Sequence, residues 1–293
     1  MKPGAKQQGI VFIAPALILF FVFVLYPVVY IFQASTLEWT GISQGTFVGL
    51  DNYIELFTAD RVFWITIRNS VYWAFLTIFP QMILGFALAM LLNTQVVGRN
   101  IYRAIFYLPA IVSPVVISII WRRIYNPFGG FLADLGKATG MTWLAQPYLA
   151  APQIAIFACI AVNVWEWTGF SMLLYLAGLQ GISGEVLDAA SVDGVNRWQR
   201  IRHIVWPMLR HVHLTLILLG IIGTLQTFAL IFMMTKGGPN HASEMLPTYI
   251  FQKAFVLQSM GYASAVSVVL LMIALIMSII LVRVFGARFA LSQ

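Results

Sequence analysis

Six stretches of this sequence, approximately residues 10–32, 71–92, 104–121, 152–179, 212–234 and 262–282, carry one charged residue between them, Glu166. Each is long enough to cross about 30 Å of hydrocarbon at about 1.5 Å of rise per helical residue. Backbone N–H and C=O groups in lipid must be satisfied within the protein, so spanning segments are helices or strands of closed barrels. Barrel strands alternate apolar and polar residues over about ten positions, and the run from Ala16 to Leu25 has no alternation. The expectation is an all-α membrane protein, a single domain over residues 1–293 with six transmembrane helices. Composition agrees: 60% of residues are apolar and 9% charged, against about 25% charged in soluble domains. Lys2 and Lys6 ahead of the first run imitate a signal peptide, but the run outlasts the usual apolar region of about 7–15 residues. An uncleaved first span is expected.

Charge then orients the chain. With the N-terminus in the cytoplasm, the inner segments hold Lys2, Lys6, Arg99, Arg103, Arg197, Arg200, Arg202, Arg210, Arg283 and Arg288 against three acids. The outer segments, which are longer, hold seven basic residues and six acids. The positive-inside rule favours both termini in the cytoplasm. The net charge of +7 is thus an orientation signal, and no soluble basic domain exists to bind nucleic acid. Trp39, Trp64, Trp73, Trp121, Trp143, Trp198 and Trp206 fall near run ends or in loops, where aromatic belts form.

Catalytic and metal chemistry find no foothold. The nearest approach to a phosphate loop runs from Gly130 to Gly136, Lys137 and Ala138. It has one residue too many between its glycines, and alanine where Ser or Thr should hold magnesium. His211 and His213 do not share a helix face, and no nucleophile–base set or metal-ligand spacing occurs. The lone cysteine, Cys159, has no intrachain partner and is expected to be a packed small residue. No catalytic residue, metal site or cofactor is expected on this chain.

The longest polar interruption in the second half runs from Ser183 to Pro207. Ser183 is a candidate N-cap with Glu185 in the following turn. Asp193-Gly194 is a helix stop, and Asn196 with Gln199 is a capping-box restart. Trp198, Ile201 and Val205 then share a face, Arg197 and Arg200 lie on another, and Pro207 ends the second helix. Two readings stand for this helix pair. One is a surface helix with its arginines on lipid phosphates. The other is a docking site for a protein, approached closely over Ala189, Ala190 and Gly194.

The spacing of this stretch resembles the EAA loop of ABC-importer permease subunits. That pattern is EAA, three residues, Gly, nine residues, Ile, one residue, Leu-Pro. Here Asp188-Ala189-Ala190, Gly194, Ile204 and Pro207 stand at those positions, with Asp188 in place of Glu and Trp206 in place of Leu. Further resemblances to the carbohydrate-type members run along nearly the whole chain: Val48–Tyr53, Tyr102–Pro109 and Thr235–Pro239. The resemblance implies the fold of a type I importer permease in a bacterial or archaeal inner membrane. It implies a second homologous permease as partner, an ATPase dimer on the cytoplasmic face and an extracytoplasmic solute-binding protein. ATP and magnesium belong on the separate ATPases. Glu185, Asp188, Ala189, Ala190, Asp193, Gly194, Arg197, Ile204 and Pro207 become the ATPase-coupling residues.

Substrate candidates lie in the fourth and fifth spans. Asn163, Trp165, Glu166 and Trp167 combine hydrogen-bonding groups with aromatic platforms, the combination carbohydrates need. A charge at mid-span costs about 2.5–3.5 kcal/mol on insertion scales, so Glu166 faces either a cavity or a structural partner. Thr224, Gln226 and Thr227 are pathway candidates, although Gly220–Thr224 and Gly223–Thr227 also fit close helix packing. The expected cargo is an oligosaccharide. The alternatives are a non-sugar solute such as glycerol phosphate, for which no basic residue lies near a span midpoint, and an ATP-independent secondary transporter, for which no internal repeat is visible.

Overall fold

A computed structural model of the chain describes residues 3–42, 44–94 and 97–289, with side chains for all of these except 3–11, 282 and 284–289. Lys2 lies outside the described residues, and Lys6 and Arg288 outside the described side chains. Among the described residues the fold is helical, apart from one two-stranded antiparallel ladder in which Leu37 faces Phe47 and Glu38 faces Thr46. The described residues form two compact units. One comprises residues up to Phe63 with Tyr249–Ile276, the other Trp64–Thr248 with residues from Met277 onward.

In the first unit, α1 (Pro3–Phe20), a π turn (Phe21–Leu25) and α2 (Tyr26–Ala34) follow without a break. Next come the strands β1 (Leu37–Glu38) and β2 (Thr46–Phe47) and the helix α3 (Asp51–Thr58). Asn52 at the start of α3 donates to the carbonyls of Ser35 and Leu37 at 2.8 and 3.0 Å, and the Tyr53 hydroxyl donates to Ser35 Oγ at 2.6 Å. The Val48–Tyr53 motif therefore clamps the end of α2. Asp60 caps α4 (Arg61–Leu92) by accepting from the amides of Val62 and Phe63 at 2.9 and 3.0 Å. It also accepts from the hydroxyls of Tyr249 in α14 (Leu246–Phe251) and Tyr262 in α15 (Met260–Phe289). Burial pushes the Asp60 carboxyl up, but the two tyrosine hydroxyls, the Phe63 amide and the Lys253 charge together hold it below its usual range.

The second unit is built around α8 (Ala155–Gln180), the most buried of the span-length helices. Small residues let its neighbours come close. A Cβ on Gly169 would lie 1.9 Å from the carbonyl oxygen of Phe106, so the backbones of α8 and α5 (Arg99–Ile111) touch. One on Gly85 of α4 would lie 2.6 Å from Ser171 Cβ. Two apolar clusters result, one around Trp73, Ile117, Cys159 and Ile231, the other around Met82, Met172, Tyr175 and Val212. Cys159 is a packed core residue. Trp73, expected in an aromatic belt, is instead fully buried, because α4 starts ten residues before its apolar run and carries Trp73 into the packed wall.

Two of the six apolar runs are not single helices. Run 104–121 is broken between α5 and α6 (Pro114–Ile124), which meet at 97°. The Pro114 ring disfavours helical backbone at Ser113, which is extended at φ −56°, ψ 134°. Run 212–234 is α12 (Arg210–Leu225), then an irregular segment at Gln226–Phe228, then α13 (Ala229–Met234). Among the described residues, four helices are long and apolar enough to cross a membrane, and the bent pairs α5–α6 and Arg197–Met208 with α12 bring the count to six if each makes one crossing. Between α13 and α14, the Thr235–Pro239 motif opens a loop tied to α4, since Asn69 donates to the carbonyls of Ala242 and Glu244 at 3.1 and 2.9 Å.

Candidate functional site

Residues 183–208 fold from local signals. α9 (Gly184–Val192) ends in a paired cap: Val195 N–H reaches the Ala190 carbonyl at 3.1 Å, and Gly194 N–H the Ser191 carbonyl at 3.3 Å. This Schellman geometry needs a left-handed residue at its corner, and Gly194 has φ +72°. A Cβ there would meet nothing within 4 Å, so the demand for glycine is a matter of backbone conformation. α10 (Arg197–Arg200) starts in a full capping box. Asn196 Oδ1 accepts from the Gln199 amide at 2.8 Å, and Gln199 Oε1 from the Asn196 amide at 3.0 Å.

The helix continues through a π segment (Ile201–Val205) and α11 (Trp206–Met208) before a 63° bend at Leu209. Pro207 therefore does not end the second helix. It sits in that helix's last turn, and the bend follows it. Ser183 holds the N-cap position of α9, but its side chain makes no capping bond.

Exposure sorts the coupling candidates. Glu185, Asp188, Ala189, Asp193, Gly194, Arg197 and Pro207 are exposed and Ile204 is half-buried, but Ala190 is buried. Ala189 alone of the two alanines offers a surface, because adjacent residues on a helix point about 100° apart. Val192 and Trp198, 87% and 68% exposed, flank the turn with apolar surface. The segment is anchored through Trp206, whose ring packs edge-on to Phe86 at 5.0 Å and lies 4.1 Å from His213. His213 Nε2 donates to the Trp206 carbonyl at 3.0 Å, and its Nδ1 accepts from the Tyr175 hydroxyl at 2.7 Å. Nothing in the sequence marks this anchor, since Tyr175 lies in an apolar run and His213 is weighed there only as a metal ligand.

A cavity of about 400 Å³ lies among α4, α8, α12 and the irregular 226–228 segment. Asn163, Glu166, Trp167, Thr224, Gln226 and Thr227 line it. Trp165 does not; it packs edge-on against Trp121 at 5.4 Å, because two helical steps turn it to the opposite side of α8 from Asn163. The structure adds Trp73, Thr77 and Gln81 of α4 to the wall. Their four-residue spacing is a stripe along one helix face, a signal available in the sequence. Gln81 Nε2 donates to Asn163 Oδ1 at 3.0 Å. Thr224 and Thr227 hydroxyls donate back to the carbonyls of Gly220 and Gly223, both at 2.8 Å. Gly220 serves packing, since its Cβ would lie 2.4 Å from Ile78, whereas Gly223 is open. No group of three or more His, Cys, Asp or Glu able to hold a metal occurs among the described residues.

The sequence profile of a family described as binding-protein-dependent transport system inner membrane component matches residues 81–290. The chain is 34% identical over 277 residues to the probable ABC transporter permease protein YurN of Bacillus subtilis (strain 168), covering 94% of each. It is 32% identical over 289 residues to the trehalose/maltose transport system permease protein MalF of Thermococcus litoralis, covering 97% of this chain and 95% of that one. Among solved structures, a bacterial ABC transporter involved in the import of the acidic polysaccharide alginate superposes with TM-score 0.80 at 22% identity, covering 96% of this chain and 97% of that one. That likeness is one of fold.

Proposed function

The chain belongs to the family of inner membrane components of binding-protein-dependent transport systems, and from that premise we propose that it forms one half of the pathway of an ATP-driven oligosaccharide importer. The observation that carries the cargo reading is the cavity: the exposed indole of Trp167 beside the amides of Gln81, Asn163 and Gln226. Sugar rings present apolar faces and hydroxyl rims, and this wall answers both. The trehalose/maltose relative supports the same cargo class. Glycerol phosphate is disfavoured, because no Lys, Arg or His lines the cavity among the described residues.

A second, homologous permease completes the pathway, and an extracytoplasmic binding protein delivers the solute. Both termini face the cytoplasm, where residues 183–207 dock on one subunit of an ATPase dimer. ATP and magnesium are bound there and not on this chain, whose part is transport without catalysis. The exposed turn at Gly194, flanked by Val192 and Trp198, is a compact knob suited to a cleft of that ATPase.

The test is reconstitution of both permeases, the ATPase and the binding protein in proteoliposomes. Uptake of a labelled trehalose or maltose-type oligosaccharide should require all four and should stop without ATP. Gly194→Val should retain the fold while losing ATPase retention and stimulated hydrolysis. Full turnover in that variant would return residues 183–207 to a surface-lying helix pair. For orientation, cysteines at Gln44 and Ala242 should react with an impermeant thiol reagent in spheroplasts, and one at Asn196 only after permeabilisation.

A further inference from the structure

Glu166 stands without a counter-charge in the cavity wall. The residue is 2% exposed and lines the cavity. Among the described residues its carboxylate has no hydrogen-bond or salt-bridge partner. The rest of the polar wall is neutral, made of amides and hydroxyls. The start of α6 at Pro114 reaches the same wall and adds no charged side chain to it. Buried charges persist when something pairs with them, and here the position of a partner is the space a solute would occupy.

We propose that Glu166 makes this cavity a charge filter, accepting neutral and amine-bearing saccharides and rejecting acidic ones. The proposal rests on the reading of the cavity as the substrate pathway. Sugar hydroxyls donate to a carboxylate, and a protonated sugar amine forms a charge-assisted bond with it. A uronate brings a like charge into a poorly screened space with no cation to offset it. The fold itself does not set this preference, since the alginate importer that superposes on this chain handles an acidic polysaccharide.

The experiment uses the complex of both permeases with the ATPase in nanodiscs, without the binding protein, so that the binding protein's own selectivity does not intervene. The probes are three pentasaccharides, of glucose, glucosamine and galacturonate, followed by tryptophan fluorescence, since Trp73 and Trp167 line the cavity. The wild type should bind the glucosamine pentamer at least as well as the glucose pentamer, and the galacturonate pentamer at least about tenfold more weakly. A smaller gap overturns the filter, and so does a cationic residue of the partner permease that erases it.

Glu166→Gln should close the gap between glucose and galacturonate to within about threefold, while Glu166→Asp should preserve the order. A gap unchanged in Glu166→Gln overturns the filter. Gly223→Trp, which projects into open space at the cavity, should abolish binding of all three. If no pentamer binds the wild type, or all three bind Gly223→Trp as they bind the wild type, the pathway reading fails and the filter falls with it.

Discussion

The helix pair at 183–208 and the cavity are built on opposite principles. The pair is made by neighbours in sequence: a Schellman turn at Gly194 and a capping box at Asn196–Gln199, each closed within six residues. The cavity is made by residues as distant as Trp73 and Leu230, and its walls stand where they do because small residues let helices approach. A local motif survives the loss of its surroundings and fails when its own backbone is changed. A wall between helices fails when one side chain grows. The two regions should therefore break under different substitutions and give different readouts.

The largest effect is expected at the helix contact. In Gly169→Val, the new Cβ would fall 1.9 Å from the Phe106 carbonyl oxygen, a clash with backbone that rotamer changes cannot relieve. The expected cost is about 3 kcal/mol or more. The complex should lose monodispersity on size exclusion and melt well below wild type, whereas Gly194→Val should melt near it. A wild-type midpoint for Gly169→Val would mean that the α5–α8 contact does not hold the cavity wall.

Next comes the docking surface. Losing one member of a buried interfacial charge pair costs about 2–5 kcal/mol, mostly by stranding the partner, and an exposed pair costs under about 1 kcal/mol. Asp188 is exposed at the middle of α9, between Glu185 and the Gly194 turn. Asp188→Ala should reduce co-purification of the ATPase at least about tenfold with the melting midpoint unchanged, and Glu185→Ala much less. Equal losses in the two variants would move the contact away from Asp188.

How legible each region was in the sequence follows from the same contrast. The Gly194 stop and the Asn196–Gln199 box were readable because each depends on a few adjacent residues whose chemistry is specific. The burial of Ala190 and the course of the helix past Pro207 were not, because both depend on what packs behind the segment. In the cavity, Asn163, Glu166 and Thr224 were readable as polar groups in apolar runs. Trp165 stands off the cavity; composition reveals that an aromatic is present but not which side of α8 it occupies. Trp73, Thr77 and Gln81 were missed because Trp73 looked interfacial and the stripe was not sought. The breaks at Ser113 and Gln226 lay inside runs whose hydropathy is indifferent to backbone direction.

Within the cavity, Asn163→Ala removes the side-chain acceptor of Gln81 Nε2 and one amide of the wall. Gln81 Nε2 keeps the Asn163 backbone carbonyl at 3.1 Å, so assembly should stay intact, while the loss of one hydrogen bond to the solute, about 1 kcal/mol, should lower uptake in proteoliposomes about fivefold. Unchanged rate and cargo range would remove Asn163 from the pathway and leave its bond to Gln81 as packing only.

The smallest effect separates the two helix starts of the 183–208 segment. Both carry capping residues in the sequence, yet only Asn196 makes a capping bond. Asn196→Ala should cost about 1 kcal/mol, because it strips the Gln199 amide of its acceptor. Ser183→Ala should cost under about 0.5 kcal/mol, the range of surface changes that remove no such feature. Amide hydrogen exchange in the assembled complex resolves the two: protection at Gln199 should fall about fivefold in Asn196→Ala, the equivalent of 1 kcal/mol, while protection across Gly184–Val192 should hold in Ser183→Ala. Were Ser183→Ala to loosen α9 as much as Asn196→Ala loosens α10, the Ser183 hydroxyl would be capping α9 in the assembled complex. Both helix starts would then rest on side-chain caps, as their sequences suggest.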